Sequence, residues 1–173
     1  MRSRYRSSGI LLLVACLAVS CSGRKVKDVV ISKFHCDSLE GVIHRVGIAI
    51  DTRVKKEGRG ALRIGVDEPT VIRLFETGDI NVEDAVLIYR ASLRTESVQG
   101  RVYLEMWCHF EGKGEFFSQG LDTTLSGTTK WTRLEIPFFL KAGENPDNVK
   151  LNVVCEGAGT VWVDDVRLIK RAI

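Results

Sequence analysis

"TVWVDDVRL", Thr160 to Leu168, lies near the end of the 173-residue chain and decides how the rest is read. Valines and a tryptophan, with no proline or glycine, make it a β-strand. Asp164 and Asp165 stand side by side in its middle. Neighbouring strand residues point to opposite faces, so one of the two aspartates faces whatever the valines pack on. In a regular strand Val161 and Val163 share one face, and Val166 and Leu168 share the other. A bulge at the aspartate pair brings all four to one side. Without it, both faces are partly buried. Either way a carboxylate sits at the core edge, where it is costly if unpaired. Loop amides, an arginine or a cation can hold it.

The same short alternating pattern recurs upstream between turn signals. "DVVISKF" (28–34) opens the series, and "HRVGIAID" (44–51) alternates Val46, Ile48 and Ile50. "EGRG" turns into "ALRIGV" (61–66), and "TVIRLFE" (70–76) follows Pro69. "DAVLIYRASLRTE" (84–96) places Ala85, Leu87, Tyr89, Ala91 and Leu93 on one face. "GRVYLEMWCHF" (100–110) does the same with Val102, Leu104, Met106, Cys108 and Phe110. "EGKG" makes a hairpin into "EFFSQ". "LSGTTKWTRLEIPFFL" (125–140) reads as a loop and then a strand, with Pro137 marking an edge or a strand end. "VKLNVVCEG" and "TVWVDDVRLIK" close the set. No amphipathic helix or internal repeat is evident. The expectation is an all-β, two-sheet antiparallel β-sandwich of about ten strands, arranged as a jelly roll.

The formal charge is +3, from 25 basic and 22 acidic residues. Arg2, Arg4 and Arg6 account for the excess, because the first twenty residues hold no acid; removing those three leaves 22 against 22. A neutral body argues against a nucleic-acid partner. "MRSRYR" followed by "GILLLVACLAVS" is a basic segment and then an apolar stretch shorter than the ~20 residues a membrane span needs. "LAVSC" at its end resembles the lipobox of bacterial lipoproteins, and "LVAC" offers a second candidate at Cys16. The reading is a signal peptide over 1–20, a lipidated Cys21 with a short tether over 21–27, and one domain over 28–173. It implies membrane attachment through an N-terminal lipid at the bacterial cell envelope. Ser22 after the cysteine resembles the outer-membrane sorting pattern. Ordinary secretion is the alternative. Cys36, Cys108 and Cys155 remain; no CxxC or metal-ligand spacing joins them, and buried thiols are expected.

"KKEGRGALRI", "VLIYRASLRT", "VYLEMW", "LSGTTKWTRLEIPF" and "NVKLNVVCEGAGTVWVDDVRL" together resemble the galactose-binding-like jelly rolls of the carbohydrate-binding-module type. The likeness runs from Asp28 to Lys170. It implies a glycan-binding domain, on a fold also used for protein contacts and as a spacer. In that family the last-strand aspartate commonly ligates a structural calcium, helped by an acid near the first strand. Here that aspartate is Asp164. "FHCDSLEG" (34–41) has His35 where the family more often has glutamate, leaving Asp37 or Glu40 to take its place. Calcium wants six to eight oxygens. Loop amides or an arginine are the competing partners of Asp164.

On "RVYLEMWCHF" the face opposite the core presents Tyr103, Glu105, Trp107 and His109; Arg90 lies on the corresponding face of "VLIYRASLRT". Aromatic rings stack on the apolar faces of sugars, while carboxylates and guanidinium groups bind hydroxyls. A glycan groove requires Arg90, Tyr103, Glu105 and Trp107 to converge on one sheet. A structural or protein-contact module requires a flat or filled face, with apolar residues exposed at an edge. Trp131 and Trp162 read as core or loop-clamp residues. Enzymatic activity is not expected: His35, His44 and His109 lie in no nucleophile or metal motif, and Glu105 with Glu115 is too common a pairing to indicate a glycosidase.

Overall fold

A computed structural model describes residues 27–173. The segment read as a signal peptide, with Cys16 and Cys21, lies outside the described residues. Nine strands follow in chain order: β1 (Val29–Phe34), β2 (Ile48–Asp51), β3 (Ala61–Val66), β4 (Thr70–Gly78), β5 (Ala85–Phe110), β6 (Gly114–Gln119), β7 (Leu125–Leu140), β8 (Asn148–Cys155) and β9 (Gly159–Ala172). All pairings are antiparallel. The strand path is β2-β3-β9-β5-β8-β4, with β1 beside β9 and with β6 and β7 beside β5.

β5 makes this one curled sheet with two layers. Its first half, Ala85 to Glu96, pairs with β9 and β7. Its second half, Val102 to Phe110, pairs with β8 and β6. The two segments read as separate strands in the sequence are therefore one strand crossing between layers, which is why nine elements appear instead of ten. Between them Ser97 (φ 53°) and Gly100 (φ 93°) take left-handed conformations. The kink reverses the alternation: odd residues Leu87 to Leu93 face the core before it, and even residues Val102 to Cys108 after it.

β9 resolves the question posed by its two aspartates. Arg167 pairs with Arg90 and Asp164 with Ser92, so Asp165 and Val166 together face only Ala91. This is a β-bulge. Asp165 holds φ 52° there, a region aspartate enters more readily than most side chains. Val161, Val163, Val166 and Leu168 all reach the core. Burying Val166 and Leu168 is worth about 1.5–3 kcal/mol each. A left-handed non-glycine residue costs on the order of 1–3 kcal/mol, so burial wins.

The core lies between the layers. Leu62, Ile64, Tyr89 and Ile136 come from one side, and Ile72, Leu104, Met106, Leu151 and Val153 from the other. Cys36, Cys108 and Cys155 are unpaired and buried. Burial pushes the Cys108 and Cys155 thiols up to about 12, so neither ionises at neutral pH. Val46 departs from the expected alternation. It is 83% exposed, because β2 begins only at Ile48, after Gly47 turns the chain at φ 72°. The loop expected at "LSG" is already strand. Pro137 sits where its missing N–H does no harm, on β7, whose strand partner is β5.

Candidate functional site

The second layer presents an ordered polar face on the side away from the core. Across it, Trp107 of β5 stands opposite Lys150 of β8 and Phe117 of β6. Glu105 stands opposite Asn152 and Gln119, and Asn152 in turn opposite Arg73 of β4. An open groove of about 330 Å³ runs over these positions. Its apolar wall is Trp107 with Val71. Phe117 is 55% exposed and extends the aromatic wall, with its ring centroid 4.9 Å from that of Trp107.

The polar floor is tightly organised. Glu105 is only 5% exposed. Its Oε1 accepts from Asn152 Nδ2 at 2.9 Å, and its Oε2 from Gln119 Nε2 at 2.7 Å. Both carboxylate oxygens are thus held by side-chain amides. That arrangement leaves Asn152 Oδ1 buried with no partner. A buried acceptor left unmade costs about 1–3 kcal/mol. At the side, Lys150 Nζ bonds Glu115. This bond holds the Glu115 carboxyl below its ordinary value against the opposing effect of burial, and the Lys150 charge adds to the lowering. Arg73 lines the groove with its guanidinium free of ion pairs among the described residues.

Of the residues singled out from the sequence, Glu105 and Trp107 line this groove. Tyr103 is on the same face but buried, beside the Arg101–Glu156 ion pair. Burial first, and then the Glu156 charge, raise its hydroxyl pKa. His109 lies at the other end, its Nδ1 2.5 Å from Asp147 Oδ1. Arg90 is a correction. It sits on the first layer, where its Nε bonds Glu135 at 2.6 Å and its Nη2 bonds Asp28 at 3.2 Å. The kink in β5 sends the two halves of the strand to different layers, so Arg90 and Trp107 do not share a groove. Arg73, Lys150 and Asn152 were missed. Their signal was present in "NVKLNVV", where polar residues alternate with Val149, Leu151 and Val153.

The aspartates of β9 serve the fold. Asp164 is 3% exposed. Its Oδ2 accepts the Lys56 and Glu57 backbone N–H groups at 2.7 and 2.9 Å, and its Oδ1 accepts that of Asp165 at 2.7 Å. Asp37 takes the N–H groups of Arg59 and Gly60 at 2.8 and 3.0 Å. Together they clamp the loop of residues 52–60 over the bulge. This donor set does not fit the calcium that the family resemblance implies. Amide hydrogens, not carbonyl oxygens, point at the carboxylates, and the neighbouring Lys33 is ion-paired with Glu57 at 2.7 Å. Glu40 is exposed and lines a different depression from the one that holds Asp164. The pairing of Glu40 with Asp164 as metal ligands is therefore set aside in favour of loop amides. Trp162 is likewise a clamp: its Nε1 donates to Asp51 Oδ2 at 2.9 Å.

No protein-family model matches the chain, and no curated protein matches it in sequence. Solved structures do match in fold. The CBM22-1 xylan-binding domain from Paenibacillus barcinonensis Xyn10C superposes with a TM-score of 0.61 at 10% identity, over 84% of this chain and 96% of that one. The CBM22-1–GH10 modules of Clostridium thermocellum endo-1,4-beta-D-xylanase 10B, complexed with xylohexaose, give 0.61 at 11%, over 84% of this chain and 29% of that one. A family 16 carbohydrate-binding module gives 0.51 at 11%, over 70% and 84%. At these identities the likeness is one of fold, and the chain has the β-sandwich fold of the carbohydrate-binding modules.

Proposed function

We propose that the domain is a non-catalytic binding module that holds a glycan across the groove formed by β4, β8, β5 and β6. The observation that carries this reading is the open groove itself, which sets the Trp107 indole and the unpaired Arg73 guanidinium over a fixed Glu105–Asn152 floor. A sugar ring lies on the aromatic wall while its hydroxyls meet the polar side chains around it. Arg73 at the side offers further donors to hydroxyls. Glu105 is bound by two amides and so is poorly suited to act as a general acid or base, which favours binding over hydrolysis. The xylan and xylohexaose in the names of two fold neighbours make a β-1,4-xylo-oligosaccharide the first probe.

Isothermal titration with xylohexaose and a glycan array test the reading. Wild-type protein is expected to bind at least one neutral polysaccharide, with Trp107→Ala and Asn152→Leu each weakening binding about tenfold or more. Failure of the wild type to bind any polysaccharide would favour a protein-contact module, for which exposed Phe139 (68%) on β7 is the supporting feature. Export and attachment to the outer membrane through a lipid on Cys21 belong to the same proposal. Loss of radiolabelled palmitate and release from membranes on Cys21→Ala are expected. Retention of both would overturn the assignment.

A further inference from the structure

We propose a second ligand site, for a uronic-acid residue of an acidic polysaccharide, on the outer face of the first layer. It is independent of the groove described above. Between β5 and β7 the register jumps from Leu93↔Thr132 to Thr95↔Thr129, so Arg94 alone faces both Lys130 and Trp131. The bulge re-aims these side chains and opens a groove of about 600 Å³ lined by Arg94, Thr128, Thr129, Lys130 and Trp131.

Arg94 is half-buried and pre-positioned. Its guanidinium carbon lies 5.2 Å from the ring centroid of Trp162, and Arg63 lies over the same indole at 5.7 Å. Asp51, which bonds that indole, already accepts the backbone N–H groups of Arg53 and Val54. Further along this layer Arg90 is neutralised by Asp28 and Glu135, Arg167 by Asp165 and Glu57, and Arg171 by Asp28, while Arg133, opposite Ser92, has no ion pair among the described residues. Among the described residues Arg94 and Lys130 have no ion pair, and Glu96, two residues along β5, makes none either. Residues 1–26 contain no aspartate or glutamate to supply one.

A planar guanidinium held by stacking, with its N–H edge unpaired, suits a bidentate carboxylate. Trp131 offers an indole surface for a sugar ring; the Thr128 hydroxyl, which accepts the Ser97 N–H, still has its proton to donate to a ring hydroxyl, while the Thr129 hydroxyl is engaged by Thr95. The combination of one carboxylate fork, an aromatic surface and a neutral hydroxyl matches an acidic sugar. A nucleic acid would call for a wider basic field than this charge-balanced body offers.

Binding of polygalacturonate by the full chain tests the site, read by titration at low and moderate salt. Affinity is expected to fall about tenfold or more in Arg94→Lys, which keeps the charge but loses the fork, and in Trp131→Ala, and to persist in Trp107→Ala. Melting curves confirm that each variant is folded. Absence of binding, or binding unchanged in both Arg94→Lys and Trp131→Ala, would overturn the proposal. So would equal affinity for single-stranded DNA or for anionic lipid vesicles, which would mark the patch as a general anion surface.

Discussion

Asp164 and Glu105 are both nearly fully buried carboxylates on strands of one sheet, and they do opposite work. Asp164 is met by three main-chain amides, two of them from a loop over a hundred residues away in sequence. Main-chain donors cannot rotate away, so this carboxylate closes the fold. Glu105 is met by two side-chain amides, and satisfying it leaves one of those amides, Asn152, with a spare acceptor. A carboxylate satisfied by side chains, one of which lines the groove with it, belongs to a surface arranged for something else. The identity of the donors, more than burial, separates the structural acid from the site acid.

The comparison breaks most readily at Asp164. Asp164→Ala strands three amides and frees the loop of residues 52–60; a loss of about 3 kcal/mol or more is expected in urea denaturation. Glu105→Ala frees two side-chain amides, which can reorient where main-chain amides cannot. A smaller loss, about 1–2 kcal/mol, is expected together with loss of glycan binding. If Glu105→Ala proves the more destabilising of the two, the division of roles is wrong. A weaker effect concerns pH. The backbone N–H groups of Arg59 and then Gly60 hold the Asp37 carboxyl below its ordinary value. A folded value below the unfolded one means that the contribution is fully present above about pH 4 and is lost as pH falls through the folded value. The acid limb of the melting profile is therefore expected to flatten in Asp37→Asn. The smallest expected effect is none: neither a chelator nor added calcium is expected to shift Tm, since amides occupy the carboxylates that a cation would need. A rise of several degrees with calcium would reverse that assignment.

Much of the fold was legible because strand periodicity is a local property. "TVWVDDVRL" posed the bulge directly, since four apolar side chains reach one core only if a residue is added between the two pairs. The groove was half legible. Glu105 and Trp107 are on one strand, and their common face follows from alternation. Arg90 was misplaced because the same reasoning was carried across Ser97–Gly100, where left-handed backbone turns the strand into the other layer. Asn152, Lys150 and Arg73 were missed because strand adjacency depends on hydrogen-bonded partners far apart in the chain.

What the chain determined by itself is therefore the set of strands, their inward faces and the need for a partner at Asp164, all consequences of side-chain alternation and burial. Only the tertiary structure decided that this partner is a loop amide, that β5 serves two layers, and that Asn152 carries the unpaired acceptor. Those outcomes depend on which distant segments meet, and local pattern does not encode that.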